Sequence, residues 1–161
     1  MIARLAHVNV VCSNIERSLR FYRDVLGAKV ISLLDGAESA EVGKAMGFDG
    51  PALARAYFLK FGEGSKKSPS TLIDLLQWIK PAVKGKPYGR LNNVGIARIC
   101  FSVDDIDKTY EDLKAKGVEF ITPPQNVELR PGAKHSLPHR VCVFKDPDGV
   151  LLELEMEAPR K

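Results

Sequence analysis

The feature of this 161-residue chain that most restricts its fold is an internal repeat at an offset of 91 residues. The stretch 13–27 begins with a capping-box pattern at Ser13 and ends on Gly27, which is typical of a helix that stops there. The stretch 104–117 has the same design, with Asp104 as the predicted N-cap, apolar residues at helical spacing and a terminal glycine. This recurrence predicts two copies of one structural unit.

Segments with strand character flank both predicted helices. They are Leu5 to Cys12, Ala28 to Leu34, Leu53 to Phe61 and Thr71 to Ile79 in the first half, and Val94 to Val103, Val118 to Thr122, Arg140 to Lys145 and Val150 to Met156 in the second. A further short helix is expected within 38–46, and 123–137 is expected to be a long loop. Each half therefore reads as βαβββ.

The predicted fold class is α+β, with two tandem βαβββ modules related by pseudo-twofold symmetry and mixed sheets that curve around a cleft. The expected boundaries within one domain of 1–161 are module one at 3–82, a linker at 83–93 and module two at 94–157. Each sheet has one face covered by its helix, so the opposite face is expected to line the cleft.

Strand alternation predicts which residues of the first strand reach that cleft. His7, Asn9 and Val11 share one face, and the residues between them share the other. The second set is more uniformly apolar, which suits the side packed against the helix. We therefore expect His7 and Asn9 on the cleft side.

The repeat offsets pair four polar residues at equivalent positions. An offset of 91 places Arg98 at the position of His7, and an offset of 79 in the closing strands places Glu153 at the position of Asp74. Asp74 and Glu153 stand in otherwise apolar strands, where a carboxylate needs a partner. We expect all four side chains to face one cavity.

Composition excludes several classes of protein. A hydrophobic share of 45% with 27% charged residues is typical of a soluble globular chain. No apolar run approaches the ~20 residues of a membrane span, and no signal peptide precedes the first strand, so we expect a cytoplasmic protein without a membrane partner. A net charge of +4 is too small to indicate nucleic-acid binding. The three cysteines lack metal-site spacing and are expected to be reduced and packed.

Three segments resemble the vicinal oxygen chelate superfamily, which includes glyoxalase I, methylmalonyl-CoA epimerase, extradiol dioxygenases and bleomycin resistance proteins. They are AHVNV at 6–10 leading into the helix, GIARICFSVDD at 95–105, and DPDGVLLE at 146–153. The resemblance covers nearly the whole chain and implies a small-molecule ligand. It further implies that the paired modules hold a divalent metal, which chelates the substrate. The cleft between paired modules is expected to form either within one chain or across a homodimer.

Carried over by motif, His7, Asp74 and Glu153 fall on metal-ligand positions, whereas Arg98 stands where active relatives have a second histidine. Arginine has no lone pair to give a metal. Two readings follow for the cofactor: three residues hold zinc, nickel, manganese or iron, or Arg98 replaces the metal by pairing with a carboxylate or binding a ligand oxygen.

The resemblance implies two candidate functions. The first is a glyoxalase-like lyase or isomerase acting next to a carbonyl, with Glu153 as base, Arg98 as electrophile and Asn9 and Tyr57 as substrate contacts. The second is a metal-free binding or sequestering protein like the bleomycin resistance proteins. An extradiol dioxygenase is disfavoured, because its iron needs two histidines and a carboxylate.

Overall fold

The computed structural model of this protein describes residues 1–63, 70–128 and 138–157, and the side chains of Glu128, Pro138 and Glu157 are outside the description. The chain divides into two compact units, Met1–Gly85 and Lys86–Lys161. Each unit contains one four-stranded mixed sheet and a main helix. The predicted tandem βαβββ fold class is thereby confirmed.

The described residues of the first unit form four strands and two short α-helices, of which the first continues as a π-helical segment over Phe21–Val25. In chain order these are β1 (His7–Val11), α1 (Ile15–Arg20), β2 (Lys29–Asp35), α2 (Ala40–Ala45), β3 (Leu53–Lys60) and β4 (Leu72–Lys80). The sheet order is β1-β4-β3-β2, with β1 parallel to β4 and the other pairs antiparallel. The short helix expected within 38–46 is present as α2.

The helix α1 packs on β3 and β4 and covers one face of this sheet. Val10 of β1 and Cys12 just after it, with Ile73 and Leu75 of β4, are buried on that side. Gln77 of β4 links the sheet to the main chain of α1, because its side-chain oxygen accepts a hydrogen bond of 2.9 Å from the Ile15 amide. The face opposite the helix is called the open face below.

The N-caps of both main helices lie one residue later than the sequence patterns predict. Asn14, rather than Ser13, accepts the hydrogen bond from the Arg17 amide at 2.9 Å. In the second unit Asp105, rather than Asp104, accepts the bond from Lys108 at 2.9 Å. Both cap residues have the extended backbone that lets a short side chain reach back to the first helical turn.

Within its described residues the second unit has four strands and one helix. These are β5 (Ile99–Ser102), α3 (Ile106–Ala115), β6 (Gln125–Glu128), β7 (Pro138–Lys145) and β8 (Leu151–Glu157). The sheet order is β5-β8-β7-β6, with β5 parallel to β8, so the strand order of the first unit is repeated. The helix α3 packs on β8, and Cys142, Phe144, Leu152 and Leu154 are buried in this unit.

The strand expected at 118–122 is absent from that position. Only an isolated bridge joins Phe120 to Phe144, and the fourth strand is β6, inside the stretch expected to be a loop. Phe120 packs against the rings of Tyr110 and Phe144, and the main chain beside it still pairs locally with β7, since the Ile121 amide donates a hydrogen bond of 2.7 Å to the Val143 carbonyl. The rest of the expected loop, 129–137, lies outside the described residues.

No helix in the described parts of the chain has both the length and the apolar character needed to cross a membrane.

Candidate functional site

The open face of the first unit presents His7, Asn9 and Asp74. Asn9 and Asp74 are register partners on the parallel strands β1 and β4, and the Asn9 amide donates a hydrogen bond of 2.9 Å to Asp74 Oδ2. The His7 ring meets the ring of Phe58 edge to face, with centroids 5.6 Å apart. His7 and Asn9 are exposed while Val10 and Cys12 are buried, so the alternation predicted for β1 is confirmed.

The second oxygen of Asp74 has an unusual environment. Asp74 Oδ1 is buried and has no hydrogen-bond partner in the structure. A buried carboxylate oxygen without a partner loses the hydrogen bonds it would make in water. This atom is therefore available to a hydrogen-bond donor or to a cation.

Tyr57 lies on the other face of the first sheet. It is the register partner of Leu75, whereas its neighbour Phe58 is the partner of Asp74. Because successive strand residues point to opposite faces, Tyr57 is on the side of the helix α1. Tyr57, which was expected to contact a substrate, thus lies on the face opposite Asp74.

The open face of the second unit is centred on an ion pair. Arg98 immediately precedes β5, and its Nε is 2.7 Å from Glu153 Oε2 on β8. The side chain of Arg98 is 43% exposed, whereas that of Glu153 is only 8% exposed. The pair therefore neutralises a nearly buried carboxylate and leaves part of the arginine side chain accessible.

Cys100 and Glu155 belong to the same cluster, although the sequence patterns did not single them out. Cys100 is the register partner of Glu153, and one ligand atom from each of Cys100, Glu153 and Glu155 lies within 4.8 Å of the other two. Partial burial of the sulfur atom, the hydrogen bond with Glu153 and the nearby carboxylate charges raise the pKa of the Cys100 thiol to about 12. The residue itself is exposed, which corrects the expectation that all three cysteines are packed.

The repeat could have revealed Cys100. The Asn9–Asp74 register pair of the first unit corresponds, by the offsets of 91 and 79, to the Cys100–Glu153 register pair of the second. Each open face thus has a carboxylate on the fourth strand of its unit, Asp74 or Glu153. A hydrogen-bonding side chain, Asn9 or Cys100, occupies the paired position on the first strand of that unit. The two faces differ at another equivalent position. In the first unit it is His7, at the start of β1, and in the second it is Arg98, just before β5.

The three candidate metal ligands are divided between the two units, with His7 and Asp74 in the first and Glu153 in the second. Arg98 cannot act as a ligand, and its guanidinium already contacts the carboxylate that would be one. Among residues 1–63, 70–128 and 138–157, the group of His, Cys, Asp and Glu side chains close enough to share an ion is Cys100, Glu153 and Glu155.

Comparison with known sequences assigns the family. The sequence model described as "Glyoxalase/Bleomycin resistance protein/Dioxygenase superfamily" matches residues 4–154. The chain belongs to this superfamily. The expectation drawn from the three motif segments is thereby confirmed.

Individual members of the superfamily align over most of the chain. A mitochondrial methylmalonyl-CoA epimerase of Dictyostelium discoideum is 30% identical over 96% of this chain and 78% of its own length. A lactoylglutathione lyase of Schizosaccharomyces pombe is 26% identical over 98% of this chain, which spans only 49% of that protein. A glyoxalase family protein of Bacillus cereus has the same fold, with a TM-score of 0.76 at 19% identity and coverage of 99% and 97% of the two chains.

Proposed function

We propose that this superfamily member is a lyase or isomerase that acts on a small molecule at a carbon next to a carbonyl. The observation that carries this proposal is the ion pair between Arg98 and Glu153 on the open face of the second unit. It combines a carboxylate with a fixed cation, and proton removal beside a carbonyl uses both kinds of group.

The proposed chemistry assigns one role to each residue. Glu153 accepts the proton from the carbon, and the electron pair of the broken C–H bond moves onto the carbonyl oxygen as an enolate. Arg98 stabilises the negative oxygen with its permanent charge. Glu153 then returns the proton to the same carbon or to its neighbour, so that no oxidant or reductant is needed.

The names of the relatives support this reaction class. A lactoylglutathione lyase and a methylmalonyl-CoA epimerase both align with almost the entire chain. We further propose that Asn9 and Asp74 on the open face of the first unit contribute to ligand binding. Asp74 supports this assignment because one of its carboxylate oxygens is buried without a partner.

Hydrogen exchange at carbon tests the proposal directly. The protein is incubated in D2O with methylmalonyl-CoA or lactoylglutathione, and NMR follows replacement of the hydrogen next to the carbonyl. We expect exchange with at least one compound, and Glu153→Gln should slow it by roughly 100-fold or more, the usual contribution of a general base. Glu155→Gln is the matched control and should retain most of the rate.

The second candidate is a protein that binds or sequesters a small molecule without converting it. It is favoured by one observation, namely that Arg98 already satisfies the charge of Glu153 and so leaves a neutralised, ligand-accessible surface. In the same NMR experiment this function would give chemical-shift changes of the bound compound without deuterium uptake. That outcome would replace the enzyme proposal.

We also propose a cytoplasmic homodimer as the working form. The composition supports a cytoplasmic location, and the near-identical design of the two units would make exchange of modules between two copies straightforward. Sedimentation equilibrium gives the mass of the particle, and a mass equal to one chain over the micromolar range would contradict the dimer.

A further inference from the structure

The open face of the second unit brings together three side chains that bind divalent metals in other contexts. Cys100, Glu153 and Glu155 each place one ligand atom within 4.8 Å of the other two. A cysteine that loses its proton on metal binding, combined with carboxylates, suits zinc and related cations. The same face also holds Arg98, with its Nε 2.7 Å from Glu153 Oε2.

Arg98 already supplies the positive charge that the buried carboxylate requires. Glu153 is only 8% exposed, and a guanidinium neutralises it at every physiological pH without offering a lone pair to a metal. A divalent cation on Glu153 would lie close to this fixed charge, and like charges repel strongly where water is partly excluded. Arginine and metal therefore compete for one carboxylate.

We infer that Arg98 closes a latent metal site formed by Cys100, Glu153 and Glu155, and that loss of its charge opens this site to a thiophilic divalent cation such as zinc. The inference goes beyond the proposed reaction and does not depend on it. It concerns metal binding by residues of a single sheet, with no substrate involved.

Four variants of the full chain separate charge from ligand chemistry. Arg98→Gln removes the charge, Arg98→His removes it and adds an imidazole, and Arg98→Lys keeps it. Lys108→Gln is the matched control, because it removes one positive charge from an exposed ion pair with Asp112 on α3. Each protein is dialysed to equilibrium against zinc chloride, the bound metal is quantified, and melting temperature is followed with and without zinc.

Zinc should bind Arg98→Gln at least about tenfold more tightly than the parent, within the range that neighbouring groups typically exert on metal affinity. Arg98→His should bind more tightly still, and zinc should raise the melting temperature of both variants. The parent, Arg98→Lys and Lys108→Gln should respond alike and weakly. Adding Cys100→Ser or Glu155→Gln to Arg98→Gln should abolish the gain.

Two results would overturn the inference. One is a parent protein that binds zinc as tightly as Arg98→Gln, and the other is a gain that survives both Cys100→Ser and Glu155→Gln. Arg98→Met, which keeps the aliphatic bulk, replaces Arg98→Gln if circular dichroism shows that the latter does not fold. Failure of the proposed reaction would leave these metal-binding results unchanged.

Discussion

The Nε atom of Arg98 lies 2.7 Å from Oε2 of Glu153, and the two side chains differ sharply in exposure, at 43% and 8%. An exposed cation therefore compensates a nearly buried anion. Such a pair differs from the surface ion pairs of this protein, because only one of its members can be hydrated when the contact is broken. Its loss should consequently affect stability as well as function.

Arg98→Gln should lower the free energy of unfolding by roughly 1–3 kcal/mol, the usual cost of leaving a buried polar group unsatisfied. Urea denaturation followed by circular dichroism measures this difference. Lys108→Gln breaks an exposed pair on α3 and should cost less than about 1 kcal/mol. Equal losses in the two variants would show that Arg98 does not compensate Glu153 in solution.

Adding Glu153→Gln to Arg98→Gln should restore part of the lost stability. The double variant no longer buries an uncompensated charge, so the two substitutions should couple by about 1 kcal/mol or more. Unfolding free energies of the parent, both single variants and the double variant complete this cycle. Strict additivity would contradict a direct interaction between the two side chains.

The Cys100 thiol should remain protonated in mildly alkaline solution, because burial and the neighbouring carboxylates raise its pKa from 9.0 to about 12. The raised value means that this group stabilises the fold fully below pH 9 and progressively less as pH rises toward 12. Iodoacetamide should therefore alkylate Cys100 more slowly than it alkylates a free thiol at pH 9. Rates are measured by mass spectrometry.

Glu153→Gln should accelerate that alkylation, since it removes a negative charge and an acceptor beside the thiol. Cys12 and Cys142 are buried, and Cys100→Ser gives their background rate. A parent thiol as reactive as a free one at pH 9 would show that the carboxylates do not surround it.

Replacing the observed N-caps should destabilise the protein more than replacing the residues before them. Asn14→Ala and Asp105→Ala each remove the side-chain acceptor of a helix amide and should cost about 1 kcal/mol. Ser13→Ala and Asp104→Ala are the matched controls. Thermal melts of the four variants rank them, and the reverse order would favour the caps predicted from the sequence patterns.

Much of the fold follows from patterns that are local along the chain. The repeated helix design, seven of the eight strand segments and the faces of β1 were predictable, because burial periodicity acts on neighbouring residues. The one-residue shift of both caps was not, since Ser13 and Asn14, like Asp104 and Asp105, are adjacent residues of equal capping chemistry. Which residue of each pair becomes the N-cap depends on the backbone conformation of the segment between the strand and the helix.

Relationships between strands required the tertiary structure. Alternation places Tyr57 and Phe58 on opposite faces of β3, but the pairing of Phe58 with Asp74 decides which of them shares the open face. In the same way, the β5–β8 register sets Cys100 beside Glu153, and the backbone before β5 brings Arg98 to that carboxylate. Sequence periodicity states which residues of one strand share a face, whereas strand register, set by the packing of the whole sheet, decides which side chains of different strands meet.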